Sequence, residues 1–534
     1  MSRSFIVNNI ILPVDASISE AFSIAKARLR SIGVSADENS FKIYRKSIDA
    51  RRKSDIKLVY SVLASCEATK VSSDRMAKAG ISVCDVERPT VTCGREEKNA
   101  DIVVVGSGPA GLFASLLLAE HGYRPILIER GGSVSERKSA IEKFKRTRIL
   151  DTDTNIQFGA GGAGTFSDGK LVTRIGDSMS SYVLSRFVEF GAPAEIEYLA
   201  RPHIGTDILS VVVDNMIKRI RELGGDVRFH TTMLGYKDNL GKISAVVTDK
   251  GYIDCSAVIL AVGHSARDTY SMFINRGADV IAKPFSVGMR IEHPTELIDK
   301  GMYGDFAGHA ALGHAEYNLS FNTKERGVYT FCMCPGGEVV AAASEEGGVV
   351  TNGMSYHDRG GKNSNSAILS TVFREDYGAT PMDAIEYQRN IERLAFIAGG
   401  SDYSAPYCTV GDFLSESYTS TYSSVSPSYM DGAVRLCDPN KYLPRTVTEN
   451  IRQGLLDFDR KIPNFAYKRA VLTGPETRTS APIRIVRNNI SRLATGFTNL
   501  YPAGEGAGYA GGITSAAIDG IRTAFAVISR FKPY

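Results

Sequence analysis

The chain contains no run of the ~18–20 consecutive apolar residues that a membrane span requires. It also lacks a leader pattern. The opening stretch carries one Arg and a short apolar run broken by Asn8-Asn9, without a small-residue cleavage site. Cysteine is sparse: 8 in 534 residues, mostly scattered, which excludes a disulfide-built miniprotein and reads as reduced thiols in a cytosol. Net charge is small, +4 at pH 7, and concentrated, because residues 42–57 hold seven basic and two acidic side chains. A nucleic-acid partner would rest on that one segment, and a solvated basic hairpin is the simpler reading. Zinc-ligand spacing, a GxSxG elbow and a P-loop are all missing. What is present is ordinary for a globular chain, 43 % apolar and 23 % charged. At ~150 residues per unit the length allows three or four units and a large core.

The pattern divides the chain into four stretches. Residues 1–95 read as strand (4–12), helix (17–31), strands (40–47 and 56–64), short helix (72–79) and strand (81–87), with Ser17 and Glu20 forming a capping-box pattern. That βαββαβ order is the ferredoxin-like arrangement and predicts a module with its own core. It also suits RNA-binding sheets, but no strand is rich in the aromatics that stack bases. Residues 92–99 read as a linker. Residues 96–284 open with strand, turn, helix and strand. They continue through an amphipathic helix (207–223), short strands (227–233, 243–248, 252–255) and a buried parallel strand (257–262). Residues 285–465 predict a mainly antiparallel insertion, with strands at 316–322, 328–334, 338–344 and 349–352 and a hairpin turn at Pro335-Gly336-Gly337. Residues 402–440 resist reading. Residues 466–534 return to strand and helix.

Glycine carries the chemical signal. Of 51 glycines, seventeen fall in three windows, 106–132, 159–169 and 504–520, beside apolar strand and helix patterns rather than linker filler. In the first window a buried strand ends at Gly106-Ser107-Gly108-Pro109-Ala110-Gly111 and a helix begins. Glu129 follows at the end of the next strand. This is a dinucleotide fingerprint in its proper context. Gly106 makes the turn, Gly108 lets a pyrophosphate approach, and Gly111 allows close helix packing. Pro109 suits the first helical turn, the helix N-terminus offers N–H groups to phosphate, and Glu129 accepts from the adenosine ribose.

NAD and FAD share that fingerprint. The segment Leu500-Tyr501-Pro502-Ala503-Gly504-Glu505-Gly506-Ala507-Gly508-Tyr509-Ala510-Gly511-Gly512-Ile513, leading into a helix, resembles the flavin-contacting segment of the glutathione-reductase-type FAD superfamily. There an acidic residue after Gly holds the ribityl chain, and here Glu505 stands where Asp is usual. Residues 257–263 resemble that superfamily's strand beside the cofactor. Together with NIQFGAGGAGTFSDGKL (155–171), TFCMCPGGEVVAAAS (330–344), TNGMSYH (351–357) and ETRTSAPIR (476–484), these motifs resemble the uncharacterised bacterial FAD-dependent dehydrogenases, whose members carry an N-terminal ferredoxin-like appendage. The resemblance implies an α/β fold: a Rossmann-like FAD-binding domain, an inserted substrate domain and the appendage. It implies that Gly161, Gly162, Gly164, Thr165 and Arg137 line the pyrophosphate and flavin. It implies further cofactor contacts from Arg130, Met233, Ala261, Gly263, Gly504, Gly512 and Ile513. Ala160 departs from the Glu expected in the family.

A second NAD(P)H fingerprint is absent, so NAD(P)H stays an open reductant, and no CxxxxC follows the first strand–helix–strand unit. Cys332 and Cys334 form the one close cysteine pair. Alternation on a strand would put both on one face, as a redox or substrate-facing pair or as small packing residues under a hairpin. His357 and Arg359 are candidates for an anionic substrate, as are Glu476, Arg478 and Arg484, or these form structural ion pairs. The reading is a cytosolic FAD-dependent oxidoreductase moving a hydride between a small molecule and flavin N5. The alternatives are a flavoprotein docking RNA or a protein through its basic module, and a low-turnover flavin redox sensor.

Overall fold

The computed structural model describes residues 2–67, 71–84, 89–171, 177–323, 326–419 and 425–534. The first strand, Ser2–Pro13, runs between Lys57–Glu67 and Ile81–Val83, with Lys42–Asp49 outermost, and all its pairings are antiparallel. The end of the strand expected at 81–87 lies outside the described residues. The Ser17 N–H donates to the Glu20 carboxylate (2.9 Å), which starts the helix Ile18–Ser31. Ala21, Ala25 and Leu29, at helical spacing, then bury against the sheet.

The core under this sheet is not its own, contrary to expectation. Phe5, Val7, Tyr60 and Val62 belong to one contiguous apolar core with Ile298, Tyr303 and Leu312 of the insertion. The Lys46 N–H donates to the Tyr198 carbonyl (2.7 Å) and Ala200 N–H to the Lys46 carbonyl (2.8 Å), so a second seam joins the module to the rest. Nor is 92–99 a free linker. Gly94 N–H donates to Ile528 O (2.8 Å) and Lys532 N–H to Glu96 O (2.9 Å).

Five parallel strands form the second layer, in the order Leu500–Pro502, Ala257–Leu260, Ile102–Val105, Ile126–Ile128, Asp226–Arg228. The central two are buried throughout, which explains their unbroken apolar sequence. The helix Pro109–Glu120 is apolar nearly all round because it is packed between this sheet and the helix Ile513–Ile528. The single strand expected at 227–233 is two: Asp226–Arg228 in the parallel sheet, and Met233–Asn239 in an antiparallel trio with Lys242–Thr248 and Gly251–Asp254.

The insertion is a seven-stranded, mainly antiparallel sheet ordered Ser320–Asn322, Gly327–Cys334, Asn363–Val372, Phe285–Pro294, Val471–Glu476, Ala405–Thr409, Val434–Leu436. Val471–Glu476 pairs with Phe285–Pro294 and Ala405–Thr409, so the insertion extends past residue 476 instead of ending at 465. The chain crosses between layers on a two-strand ribbon, Val280–Ala282 against Ile483–Ile485. The hairpin expected at Pro335-Gly336-Gly337 is absent. Gly327–Cys334 pairs with Asn363–Val372, whereas Glu338–Ala341 pairs with Thr351–Met354, so the turn passes the chain from one sheet to another. Among the described residues no helix is long and apolar enough to cross a membrane.

Candidate cofactor and active site

A cavity of about 500 Å³ lies where the parallel sheet, the insertion and the helix Ile513–Ile528 meet. At one end stands the first glycine motif, and its three glycines differ in role. Gly106, at φ +97°, could not carry a Cβ without striking the Ala261 carbonyl, and a Cβ on Gly111 would strike the Gly106 carbonyl. Gly108 is different: nothing lies closer to its Cβ position than the Gly162 Cα, 4.0 Å away, so it opens onto the cavity. Pro109 and Ala110 line the same wall. The helix Ile513–Ile528 brings a second N-terminus to this space, where Gly511 and Gly512 also leave room for a Cβ. Neither helix has an acidic residue in its first turn, so the positive ends stay uncompensated by their own side chains.

Glu129 lines the cavity and ties its loops together. One carboxylate oxygen accepts from the Ser107 N–H (2.9 Å) and hydroxyl (2.7 Å), the other from the Gly131 and Gly159 N–H groups (both 3.0 Å). Arg130 lies over the Phe158 ring (4.3 Å) and pairs with Asp268 (2.8 Å), and both Arg130 and Phe158 face the cavity.

Arg137 does not line the cavity. It is fully buried, and all five donors are spent on the carbonyls of Asn155, Ile156, Ala160 and Gly162. Its role is to clamp the 155–162 loop, and no donor is left for a phosphate. Ala160, likewise buried, serves as one of its acceptors. Gly162 and Gly164 reach the cavity, while Gly161 and Thr165 pack behind it against Val213 and the next helix. Met233, Ala261, Gly263, Gly504, Glu505, Gly512 and Ile513 all line the space. Burial drives the Glu505 carboxyl up to about 8, against the pull of Lys283. The acid that holds the Gly504 N–H is Asp519 (2.7 Å), itself paired with Arg487 (2.7 Å), and sequence reading missed it.

The far end of the cavity is polar and titratable. Lys170, Arg201, Glu316, Asn318, Asn352, Glu476 and Arg478 line it together with Phe331, Cys332 and Met333. Glu476 pairs with the wholly buried Arg290 (3.0 Å), yet burial outweighs that partner and lifts its carboxyl to about 7. Arg478 and Arg267 share Glu392 (2.9 and 2.8 Å) in a buried network. Burial, with Arg478 and Arg267 adding to it, lowers the nearby His264 to about 3, so this cavity-facing imidazole is neutral.

His357 and Arg359 lie outside this wall. His357 stacks on His203 (ring centroids 5.3 Å), and Arg359 is spent on Asp168 (2.8 Å) and Glu316 (2.7 Å). Arg359 therefore positions Glu316, which Lys170 also approaches (3.6 Å). Arg484 covers the Tyr509 ring (5.0 Å). The two cysteines do not follow strand alternation, because a ladder shift between Phe331 and Cys334 and a φ of +45° at Cys332 break the period. Cys332 reaches the cavity, while Cys334 is buried beside Arg290 (Sγ to Nη2, 3.6 Å).

The chain is 45 % identical over 532 residues to an uncharacterized protein of Clostridium beijerinckii, with 98 % of each covered. Residues 284–479 match the family "FAD-dependent protein, C-terminal domain-like", residues 99–258 an FAD binding domain, and residues 6–65 a domain of unknown function. The chain belongs to this family of FAD-dependent proteins. Residues in part of this FAD-dependent protein also resemble 2,4-dichlorophenol 6-monooxygenase of Delftia acidovorans, 27 % identical over 154 residues, 28 % of this chain and 26 % of that one. Among solved structures, CtdE in complex with FAD is similar at 13 % identity and a TM-score of 0.33, over 81 % of this chain and 84 % of that one. FAD is the cofactor. The residues present fit it: Gly108, Gly511 and Gly512 form a cradle that side chains would fill, and two helix N-termini point anion-binding groups into the cavity.

Proposed function

We propose that this protein is an FAD-dependent oxidoreductase that moves a hydride between a small molecule and flavin N5, with the substrate at the titratable end of the cavity. One observation carries the reading: a single space joins the glycine cradle to a wall of Lys170, Arg201, Glu316, Cys332 and Glu476. Bound FAD supplies the two-electron chemistry. The chain's own residues do the rest. Lys170 and Arg201, both tied to the fixed Glu316 (3.6 Å to its carboxylate and 3.0 Å to its carbonyl), favour an anionic substrate group. Glu476, raised to about 7, takes or gives a proton near neutral pH. The neutral His264 offers hydrogen bonding without added charge.

The test is anaerobic mixing of the FAD-loaded protein with fractionated metabolite pools, followed at the flavin absorbance. Bleaching by one fraction is expected, slowed ~10²–10⁴-fold in Glu476→Gln if Glu476 is the acid–base group. A flavin that no fraction bleaches leaves the protein outside the substrate oxidoreductases.

A further inference from the structure

We propose that Cys332 and Cys334 are a redox-active dithiol that exchanges two electrons with bound FAD, Cys332 being the sulfur that meets an incoming thiol or disulfide and Cys334 the resolving thiol. This rests on the FAD redox reading above and adds a second redox group to the same cavity.

Geometry is the reason. On a regular strand, residues i and i+2 stand about 6.6 Å apart at Cα. That is at the upper limit of the ~4.4–6.8 Å span that a disulfide accepts. The strand Gly327–Cys334 departs from regularity at this point alone among its pairings, with its register shifting between Phe331 and Cys334. Cys332 adopts φ +45°, a conformation a β-carbon disfavours, and strained backbone of this kind gathers at functional sites. The result turns Cys334 back on its neighbour: the Cys334 thiol donates to the Cys332 carbonyl (3.3 Å).

The surroundings divide the labour between them. Cys332 lines the cavity, and Cys334 is fully buried behind it. Arg290 reaches both, donating to the Cys332 carbonyl (2.7 Å) and approaching the Cys334 sulfur (3.6 Å). The neighbouring Cys334 side chain, with Arg290 adding to it, lowers the Cys332 thiol, while burial raises that of Cys334. The accessible sulfur is thus the nucleophile. Two packing residues under a sheet would need neither the strained backbone nor a guanidinium beside the sulfur.

Oxidation replaces two S–H bonds by one S–S bond, releases two protons and passes two electrons to FAD. The reverse takes up two electrons and two protons. With a small disulfide, the Cys332 thiolate attacks one sulfur, forming a mixed disulfide and expelling one thiolate. Cys334 then attacks the Cys332 sulfur, closes the intrachain S–S bond and expels the second.

The test uses the full-length, FAD-loaded protein. The tryptic segment 327–359 contains Cys332, Cys334 and no other cysteine. After air oxidation and denaturation in alkylating agent, it should be lighter by two hydrogens and unalkylated. After anaerobic photoreduction, both cysteines should alkylate. An anaerobic reductive titration should consume about four electrons per FAD in the wild type and about two in Cys332→Ser and Cys334→Ser. Oxidised glutathione should leave an adduct on Cys332 in Cys334→Ser and none on Cys334 in Cys332→Ser. Two electrons in the wild type, with both thiols free after air oxidation, overturns the proposal. If a metabolite still bleaches the flavin in that case, the oxidoreductase reading stands alone. Four electrons with no bleaching metabolite supports the dithiol and removes that reading.

Discussion

Gly108 and Gly162 face each other across the floor of the cavity: a Cβ on Gly162 would sit 3.0 Å from the Gly108 Cα, whereas one on Gly108 would meet nothing nearer than the Gly162 Cα at 4.0 Å. The two positions therefore respond differently to side chains. Gly108→Val projects its methyl groups into the cradle and leaves the backbone unstrained, since Gly108 lies at φ −69°. The variant should fold, by far-UV circular dichroism, and purify colourless. Full FAD occupancy in it would move the pyrophosphate elsewhere.

Glu392 is the shared anion between Arg267 and Arg478. Removing one partner of a buried pair leaves uncompensated charge, so Glu392→Gln should cost about 3–5 kcal/mol in urea unfolding. Burial pushes this carboxyl up, but Arg267 and then Arg478 hold it well below the usual range. A depressed folded pKa gives stability that is present above the unfolded value of 4.5 and lost as pH falls toward the folded one. The stability gap between wild type and Glu392→Gln should therefore narrow below pH ~4.5. An unchanged gap at low pH would count against the network.

Glu505 has the opposite sign. Its folded pKa, raised to about 8 from 4.5 by burial, favours the protonated acid. Its contribution is therefore full below 4.5 and is lost as pH rises through about 8. In protein stripped of FAD, the melting temperature should fall across that window, and Glu505→Gln should flatten the decline. Parallel curves for the two proteins would contradict this.

Truncation before residue 96 should not give a clean remainder. The cut exposes the faces of Ile298, Tyr303 and Leu312 and removes the Gly94 N–H from the Ile528 carbonyl. Raised binding of a hydrophobic dye and loss of the monodisperse species are expected. A monodisperse, yellow remainder would show that the shared core is dispensable.

With one dinucleotide fingerprint, and that one serving FAD, reduction is expected to come from the organic substrate or a docked carrier. Glu129 at this site would also repel a 2′-phosphate. Anaerobic stopped-flow mixing with NADH and with NADPH should give slow, unsaturated reduction. A fast, saturable phase with either would place the protein among the NAD(P)H-dependent reductases.

What the sequence made legible was local. Gly106, Gly108, Gly111 and Glu129 lie within one strand–helix–strand unit, where spacing alone fixes their neighbourhood. The segment around Gly504 and Gly512 is legible in the same way. The opposite wall is not, because Lys170, Arg201 and Glu316 come from three separate stretches and meet only through the fold. Arg290 and Glu476 lie on adjacent strands but opposite other residues, so their ion pair is one that no periodicity encodes. Arg137 was expected at the pyrophosphate and flavin through the family resemblance, whereas its five donors go to carbonyls. The alternation rule failed at Cys332 because it assumes an unbroken ladder. The boundary set at 465 failed because the change in texture there precedes the last strand of the insertion, Val471–Glu476.

The cavity draws one wall from the helix Pro109–Glu120 and another from the helix Ile513–Ile528. No N-terminal fragment that stops short of Ile513 therefore encloses this cavity. A ligand that binds only the finished arrangement stabilises only that arrangement. On the ribosome, the parallel sheet must wait for its Leu500–Pro502 edge, and the cofactor can weigh in only after the later helix has emerged. FAD bound in this cavity would therefore stabilise completed chains and not shorter ones, and limited flavin should show first as loss of mature protein.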